Sequence, residues 1–364
     1  MNRKIFPMLL LCFVLMLSAC GQGSDAGSQG NNATAPQTNE NSDVDNSYVN
    51  NKEMTLTFSF GTKTGTYSGP VNKDGLPEGK GAFTSKNSEG ESWTYTGDFV
   101  NGHFEGEGEA SWPEANYKEI GQYHNDVIQP IDTSLVPRVY QSPDDYLFCC
   151  IEVSGRVYNV VDKNTFQMYE DVEAIGGNNN TVVHYDSTDY IVKEGDYVRV
   201  KAIVCGEVQY QNILGNTLTA LELNAKEVQE TTYIEAAYPT IRSIAFQEIQ
   251  VQNGYKITIE KIEFAEKETR VYFSVENGGK SKISIYSWDI EAEQDNRQYE
   301  AQTRFETDYP NLPDGIRVGN IAEGIISFPP LAQSDFKVYI KISSEDWTEQ
   351  IEEMAFSLSV PPID

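Results

Sequence analysis

Apolar and polar residues alternate at every second position through much of the chain beyond residue 54. The alternation is clear where Val271, Phe273 and Val275 interleave with polar neighbours, and it returns in residues 337–342 and 356–360. Because successive side chains on a strand point to opposite faces, this pattern is typical of strands with one buried and one solvated face. Turn residues such as Gly, Pro, Asn and Asp separate the segments. The pattern predicts an all-β fold.

Residues 54–127 add a second periodicity, made of aromatic residues and glycines. Its best-defined positions are Tyr95, Gly97, Phe99, Gly102, Gly106 and Gly108. The first three of these residues share one face of a strand. Asn101-Gly102 is a favoured two-residue hairpin turn, and glycines on the returning strand let a neighbouring ring approach the backbone closely. The segment therefore predicts a β-hairpin with an aromatic face.

Residues 95–108 fit the pattern Y-x-G-x-F-x-x-G-x-x-x-G-x-G throughout and resemble a MORN repeat. A looser copy begins at Tyr67 and includes Gly69 and Gly81, and an eroded copy begins at Tyr117. The resemblance implies two or three stacked hairpins over residues 54–127, since a single hairpin is only marginally stable.

The returning strand of the best copy carries Glu105, Glu107 and Glu109 at alternate positions, so these side chains lie on one face. Carboxylates in such a row are candidates for a divalent-cation site. We favour the simpler interpretation of a solvated sheet face. The three histidines of the chain, His103, His124 and His184, are widely spaced and form no zinc-binding pattern.

Residues 128–145 contain three prolines and predict an extended linker. Five strand-like segments follow in residues 146–230. Their order, with the phrases VSGRVYNV at 153–160 and EGDYVRVKAIV at 194–204, resembles a small OB-fold. The resemblance implies a five-stranded barrel in which the first strand lies beside the fourth.

OB-folds bind oligonucleotides or oligosaccharides in many families. Between Asp145 and Glu230 the chain has 14 acidic and 6 basic residues, which argues against nucleic acid because such binding depends on clustered Lys and Arg. Tyr158, Tyr169 and Tyr210 are candidates for stacking on a sugar. The alternative is a barrel with a structural or protein-contacting role.

Two of the cysteines fall at strand ends of this module. Cys150 opens the first strand and Cys205 lies late in the fourth, so antiparallel pairing would bring these ends together. A Cys150–Cys205 disulfide is therefore a candidate in an exported protein, with Cys149 as the weaker partner for Cys205. The alternative is three free thiols.

Residues 246–364 alternate in the same way around turns such as Asn253-Gly254, and predict an antiparallel sandwich of about seven strands. The phrases TRVYFSVENGG at 269–279 and FKVYIKIS at 336–343 resemble immunoglobulin-like domains of unknown function in Gram-positive surface lipoproteins. The Cys–Trp–Cys arrangement of antibody domains is absent. We expect Trp288 or Trp347 to supply core bulk instead.

The N-terminus predicts export. Arg3 and Lys4 precede an uncharged apolar run at residues 5–17, which is too short to span a bilayer comfortably. The run ends in Leu17-Ser18-Ala19-Cys20, which resembles the lipobox of bacterial lipoproteins. The resemblance implies cleavage between Ala19 and Cys20, removal of residues 1–19, and acylation of Cys20 as a membrane anchor. The alternative is an ordinary signal peptide with an incidental cysteine.

Residues 20–53 are rich in Gly, Ser, Asn, Gln and Thr and predict a disordered tether. The chain has a formal net charge of −28, which disfavours nucleic acid and would repel an anionic membrane surface. The lipid on Cys20 is thus the expected contact with the bilayer.

The sequence contains no nucleophile elbow, P-loop, H-E-x-x-H or EF-hand pattern. We therefore expect a non-enzymatic lipoprotein without a cofactor or metal, lipid-anchored on the extracytoplasmic face of the cell membrane. Its β modules would contact another envelope protein or serve as a scaffold. The alternative is capture of a small ligand, a glycan or a divalent cation, on the OB-like or MORN-like face.

Overall fold

The computed structural model describes residues 47–170, 179–185, 190–211, 216–302 and 308–362. Strands make up most of this part of the chain, which confirms the all-β prediction. The predicted signal peptide, lipobox and most of the predicted tether lie outside the described residues. No helix among the described residues is long and apolar enough to cross a membrane.

The first module, here called the repeat sheet, is a seven-stranded antiparallel meander in which each strand pairs with the next along the chain. Its strands are β1 Ser47–Phe58, β2 Gly61–Val71, β3 Gly79–Lys86, β4 Ser92–Val100, β5 His103–Trp112, β6 Tyr117–His124 and β7 Val127–Ile128. The sheet thus begins seven residues before the predicted boundary at residue 54, inside the predicted tether.

Close packing of tyrosine against glycine explains the periodicity of the repeat sheet. A Cβ added to Gly108 would lie 2.3 Å from the Tyr95 hydroxyl oxygen, and one added to Gly97 would lie 2.6 Å from it. Tyr67 occupies the corresponding place against Gly81, where an added Cβ would lie 2.4 Å from its hydroxyl. The two predicted copies therefore share one packing device, in which a buried ring lies over glycines of its own and the adjacent strand.

The segment between the repeat sheet and the next module is not an extended linker as predicted. It forms short 3-10 turns at Thr133–Leu135 and Pro143–Tyr146 around the helix α1, Val136–Gln141. Val136 and Val139 are buried and belong to the core of the following barrel. The three prolines permit this because they occupy the first turns of short helices or flank them, where a missing N–H costs little.

The second module is a closed five-stranded barrel, made of β8 Cys150–Asp162, β9 Thr165–Tyr169, β10 Asn180–His184, β11 Tyr197–Gln211 and β12 Thr217–Thr231. The strand order around it is β10-β12-β11-β8-β9. The first strand, β8, pairs with the fourth, β11, as predicted, and β10 pairs with β12 in parallel. Its interior is filled by aliphatic side chains together with Phe166 and Met168.

The third module follows the short helix α2, Tyr233–Ala237. Its strands are β13 Thr240–Gln252, β14 Tyr255–Ala265, β15 Thr269–Asn277, β16 Ile283–Ser284, β17 Ile290–Gln294, β18 Arg297–Glu300, β19 Ile321–Phe328, β20 Phe336–Ile340, β21 Ser343–Ser344 and β22 Met354–Leu358. One four-stranded sheet has the order β13-β14-β15-β19 and the other β18-β17-β20-β22, and a two-stranded ribbon pairs β16 with β21. The two larger sheets share one core, so this module is an antiparallel sandwich.

The expectation that Trp288 or Trp347 fills this core is wrong. Trp288 is 67% exposed and Trp347 is 90% exposed. Residues such as Phe273 and Phe356 fill the space between the sheets instead. Both tryptophans lie in connections after short strands, and their positions are not fixed by the alternation that marks the core.

A buried ion network joins helix α2 to the sandwich. The Arg270 guanidinium is fully buried and donates to Glu263 at 3.0 Å, to Glu268 at 2.9 Å and to the Tyr238 carbonyl at 2.8 Å. Burial alone would raise the pKa of the Glu263 carboxyl. Hydrogen bonds from Lys261 and Tyr272, together with the Arg270 charge, lower that pKa below its ordinary value.

Candidate ligand-binding site

A cavity of about 440 Å³ lies where the aromatic face of the repeat sheet meets the barrel. Its size falls within the range common for small-molecule sites. The repeat sheet supplies the apolar floor and the barrel strands β11 and β12 supply charged side chains at the rim. We call this cavity the junction pocket.

The floor of the junction pocket is aromatic because alternate residues of β4, β5 and β6 face the same way. Trp93, Phe104, Trp112 and Tyr123 all line it. Trp93 and Phe104 pack edge to face with ring centroids 6.3 Å apart, and Phe104 meets Tyr123 in the same way at 6.2 Å. These contacts fix the rings, so the floor is formed before any ligand arrives.

Phe60 stands at the mouth of the pocket, in the turn between β1 and β2. Its ring stacks on Phe58 with centroids 5.0 Å apart and planes 7° apart. Phe60 is nevertheless 50% exposed, in contrast to Phe58 at 4%. The pocket thus offers a solvent-accessible ring that is held in place by a buried one.

Direct contacts between the repeat sheet and the barrel hold the two sides of the pocket together. The Ile120 N–H donates to the Phe148 carbonyl at 2.9 Å, and the Ile131 N–H donates to the Cys150 carbonyl at 2.9 Å. Cys150 and Ile203 of the barrel are buried in the same cluster as the aromatic residues of the sheet. The two modules therefore share one core at this point.

A polar contact crosses the same boundary. Glu119 of β6 is buried, accepts a hydrogen bond from Tyr117 at 3.1 Å, and lies 2.5 Å from the Lys226 ammonium of β12. Pairing runs from Ala202–Ala225 directly to Lys201–Glu227, so Lys226 is the extra residue of a β-bulge. A bulge re-aims one side chain, and here it directs Lys226 away from the barrel towards Glu119.

Asp126 also borders the pocket, but its carboxylate is fully engaged in the sheet. It accepts the Ser59 and Phe104 backbone N–H groups at 2.8 Å each, and Oδ2 lies 2.8 Å from His103 Nδ1. The side chain of Asp126 is fully buried in this arrangement. We interpret the Asp126–His103 pair as a clamp that holds the β6–β7 turn against β5 and the end of β1.

Two further lysines line the pocket without an ion pair to any described residue. Lys63 lies on β2 and Lys201 on β11, and both are half-buried. The ion pairs of lysines in the described ranges involve other positions. Lys63 and Lys201 are therefore the two lining ammonium groups without an ion pair in the described part of the chain, although the lining as a whole balances its three lysines with Glu119, Asp126 and Glu227.

The three tyrosines singled out in the barrel lie together on its outer surface. The rings of Tyr158 and Tyr169 stack with centroids 4.1 Å apart and planes 21° apart, and the hydroxyls of Tyr158 and Tyr210 are 3.1 Å apart. The predicted tyrosines therefore form one half-buried cluster. None of them lines the junction pocket.

Two of the three glutamates in the row on β5 contact neighbouring groups. Glu109 lies 2.8 Å from the Lys118 ammonium, and Glu105 accepts the Asn125 N–H at 3.0 Å and lies 3.2 Å from His124. In the described ranges, no group of three His, Cys, Asp or Glu residues is arranged to hold a metal ion. Glu107 is exposed, as expected of a solvated sheet face.

The predicted Cys150–Cys205 disulfide is not formed in the structure, where Cys149, Cys150 and Cys205 are all free. The strand ends do meet, but the register places Ile203 opposite Cys150, two residues short of Cys205. Burial raises the pKa of the Cys150 thiol to about 12 and that of Cys205 to about 11. Both are therefore protonated at neutral pH and are poor nucleophiles.

Alternation predicted an aromatic face on the hairpin of β4 and β5, but neither the pocket on that face nor the charged rim of the pocket. The position of Lys63 could have been predicted from strand alternation. It pairs with buried Leu56 and so lies on the aromatic face of the sheet. A lysine at that parity is unusual for a face that packs a core. Lys201 and Lys226 had no such signal, because their place depends on how the barrel docks and on the bulge in β12.

No protein-family model matches the sequence, and no curated protein matches it. Among solved structures, a crystal structure described as a functionally unknown protein from Listeria monocytogenes EGD-e is similar at 9% sequence identity. The match covers 36% of this chain and 94% of that chain, with a TM-score of 0.30. A likeness of this size supports no inference about fold or function.

Proposed function

We propose that this protein is an extracytoplasmic lipoprotein, anchored through acylated Cys20, that captures a saccharide in the junction pocket. The observation that carries the proposal is the pocket itself, with a rigid aromatic floor and polar groups at its rim. Aromatic rings pack on the apolar face of a sugar while polar side chains bind its hydroxyls. This favours ligand capture over a purely scaffolding role.

The modules of the proposed lipoprotein are a MORN-like repeat sheet, an OB-like barrel and an immunoglobulin-like sandwich. The strand order of the barrel supports the second assignment, since β8 lies beside β11 and the ring closes through the parallel pair β10–β12. The repeated tyrosine–glycine packing supports the first. The shared core of two antiparallel sheets supports the third.

The saccharide proposal is tested by titrating neutral wall-type sugars, such as N-acetylglucosamine and its oligomers, while intrinsic tryptophan fluorescence is recorded. Binding is expected to change the emission of Trp93 and Trp112 and to raise the thermal midpoint. Phe60→Ala should weaken binding because the exposed ring is lost. Trp347→Ala, which removes a 90% exposed ring outside the pocket, is the matched control. Unaltered binding by Phe60→Ala would place the sugar elsewhere.

The anchor is tested separately by cell fractionation. The Cys20→Ser protein should leave the membrane fraction, because serine has no thiol to form the thioether that carries the diacylglyceryl group. Retention of this variant in the membrane fraction would contradict the proposed anchor.

A second candidate function is contact with another envelope protein, and the edge of the sandwich favours it. Strand β13 is the edge strand of its sheet, where it pairs with β14 on one side. Its side chains Ile241, Ile249 and Val251 are 63%, 47% and 64% exposed. An open edge with apolar side chains can accept a strand from a partner. Val251→Lys should abolish such pairing, as measured by co-purification with the envelope partner, and leave saccharide binding intact.

A further inference from the structure

The junction pocket is electrostatically different from the rest of the chain. Three lysines, Lys63, Lys201 and Lys226, converge on it, although acids outnumber bases by 55 to 27 in the whole sequence. Of the three, only Lys226 forms an ion pair with a described residue, Glu119, whereas Lys201 is the cross-strand neighbour of Glu152 and Glu227. The remaining acids are Asp126, which is tied to backbone N–H groups and His103, and the exposed Glu227.

A buried or half-buried ammonium without a counter-ion is costly, and a ligand anion relieves this cost. Lys63 and Lys201 come from different modules, one from the repeat sheet and one from the barrel. Both therefore reach a ligand only where the two modules meet. We propose that the junction pocket selects a saccharide that carries an anionic group, with Lys63 and Lys201 binding that group and the aromatic floor holding the sugar ring.

This inference rests on the proposed function and adds the charge of the ligand to it. A saccharide is favoured over a fatty acid because the floor is bordered by polar groups such as Ser59 and Asn87, and because its mouth is open at the half-exposed Phe60. An acyl chain needs a dry and closed tunnel. A carboxylate and a phosphate share the chemistry that two ammonium groups recognise, and the experiment separates them.

The test compares sugars that differ in one anionic group. N-Acetylmuramic acid is N-acetylglucosamine with a carboxylate-bearing ether, and N-acetylglucosamine 6-phosphate carries a phosphate instead. Hydrogen bonds to charged groups give roughly a tenfold preference for the anionic sugar over the neutral one in calorimetric titration. Raising the salt concentration from about 0.05 M to about 0.5 M should reduce that preference and leave neutral-sugar binding unchanged.

Lys63→Met and Lys201→Met keep the apolar stem and remove the charge. Each should lower the preference for the anionic sugar several-fold, and the double variant should bind both sugars equally. The readout is the ratio of the two affinities, and the thermal midpoint of each variant without sugar is the control for folding. Lys163→Met, in the exposed turn between β8 and β9, should change nothing.

Glu119→Gln supplies a test that misfolding cannot imitate. The amide keeps the shape of the side chain but releases Lys226 from its ion pair, so the preference for the anionic sugar should rise. Equal binding of anionic and neutral sugars by the unaltered protein would overturn the inference and leave the proposed function standing. Failure of every sugar to bind would overturn both. An anionic preference that survives the double lysine variant would also overturn the inference.

Discussion

Replacement of Gly108 by alanine tests the physical reason for the repeat periodicity. A Cβ at this position would lie 2.3 Å from the Tyr95 hydroxyl oxygen and 2.5 Å from two of its ring carbons. Each of these distances is well inside van der Waals contact. The three nearest atoms all belong to the Tyr95 side chain, so the closest conflict is with that one residue.

The Tyr95 ring has no room to move aside. It is fully buried, stacks on Phe104 with centroids 3.8 Å apart, and meets Phe99 edge to face at 5.2 Å. Its hydroxyl donates to the Asp98 carbonyl at 3.1 Å. Overpacking of a core costs about 1–3 kcal/mol or more, and the confinement of this ring places Gly108→Ala at about 3 kcal/mol.

A double-mutant cycle separates the ring clash from other effects. Tyr95→Ala alone should cost about 3–5 kcal/mol, as expected for removal of a buried aromatic ring. The double variant with Gly108→Ala should cost no more than Tyr95→Ala, which gives a coupling energy of about 3 kcal/mol. Gly97→Ala is the control, because its Cβ would also lie 2.6 Å from the Glu107 carbonyl oxygen and so should stay costly without the ring.

The assay is urea unfolding followed by tryptophan emission. Trp93 is 5% exposed, whereas Trp288 and Trp347 are already largely exposed in the folded protein. The red shift of tryptophan emission on unfolding therefore reports mainly on the repeat sheet. Additive costs of Gly108→Ala and Tyr95→Ala would refute the reasoning, since they would mean that the glycine is needed for some reason other than the ring above it.

Three further predictions concern buried polar groups. Arg270→Ala should cost about 3–5 kcal/mol in urea unfolding, because it leaves buried carboxylates unpaired, whereas Lys256→Ala at an exposed pair should cost less than about 1 kcal/mol. The pKa of Glu263 is lower in the folded protein than the value of about 4.3 in the unfolded chain, so its ionised carboxylate stabilises the fold above about pH 4.3. This stability is lost as the pH falls through the folded-state pKa. Glu263→Gln should therefore flatten the loss of stability between pH 5 and pH 3, and an unchanged slope would contradict the pairing. Cys150 should react with a maleimide at pH 8 only after denaturation, at the same rate with and without prior reduction.

The strands of this protein follow from its sequence for a local reason. Alternation places Tyr95 and Phe99 on one face whatever the rest of the chain does, and the glycines at 97 and 108 are needed wherever a ring covers them. The pairing of the first and fourth barrel strands was implied by the resemblance of residues 146–230 to an OB-fold. The all-β fold and the aromatic face of the repeat sheet could be predicted for these reasons.

Other features depend on contacts between segments far apart in the chain. The prolines at 130, 137 and 143 suggested an extended linker, yet burial of Val136 and Val139 in the barrel core makes part of it helical. Exposed Trp288 and Trp347 show that size and hydrophobicity alone do not place a residue in a core.

The junction pocket shows the same division most clearly. The sequence determined the aromatic face of the repeat sheet, because the period of a strand sorts side chains onto faces without help from distant residues. Only the tertiary structure decided that Lys63 of the repeat sheet and Lys201 of the barrel border one cavity on that face. Their meeting depends on the docking of two modules, and the bulge that directs Lys226 to the same cavity depends on strand pairing, so neither leaves a local pattern in the chain.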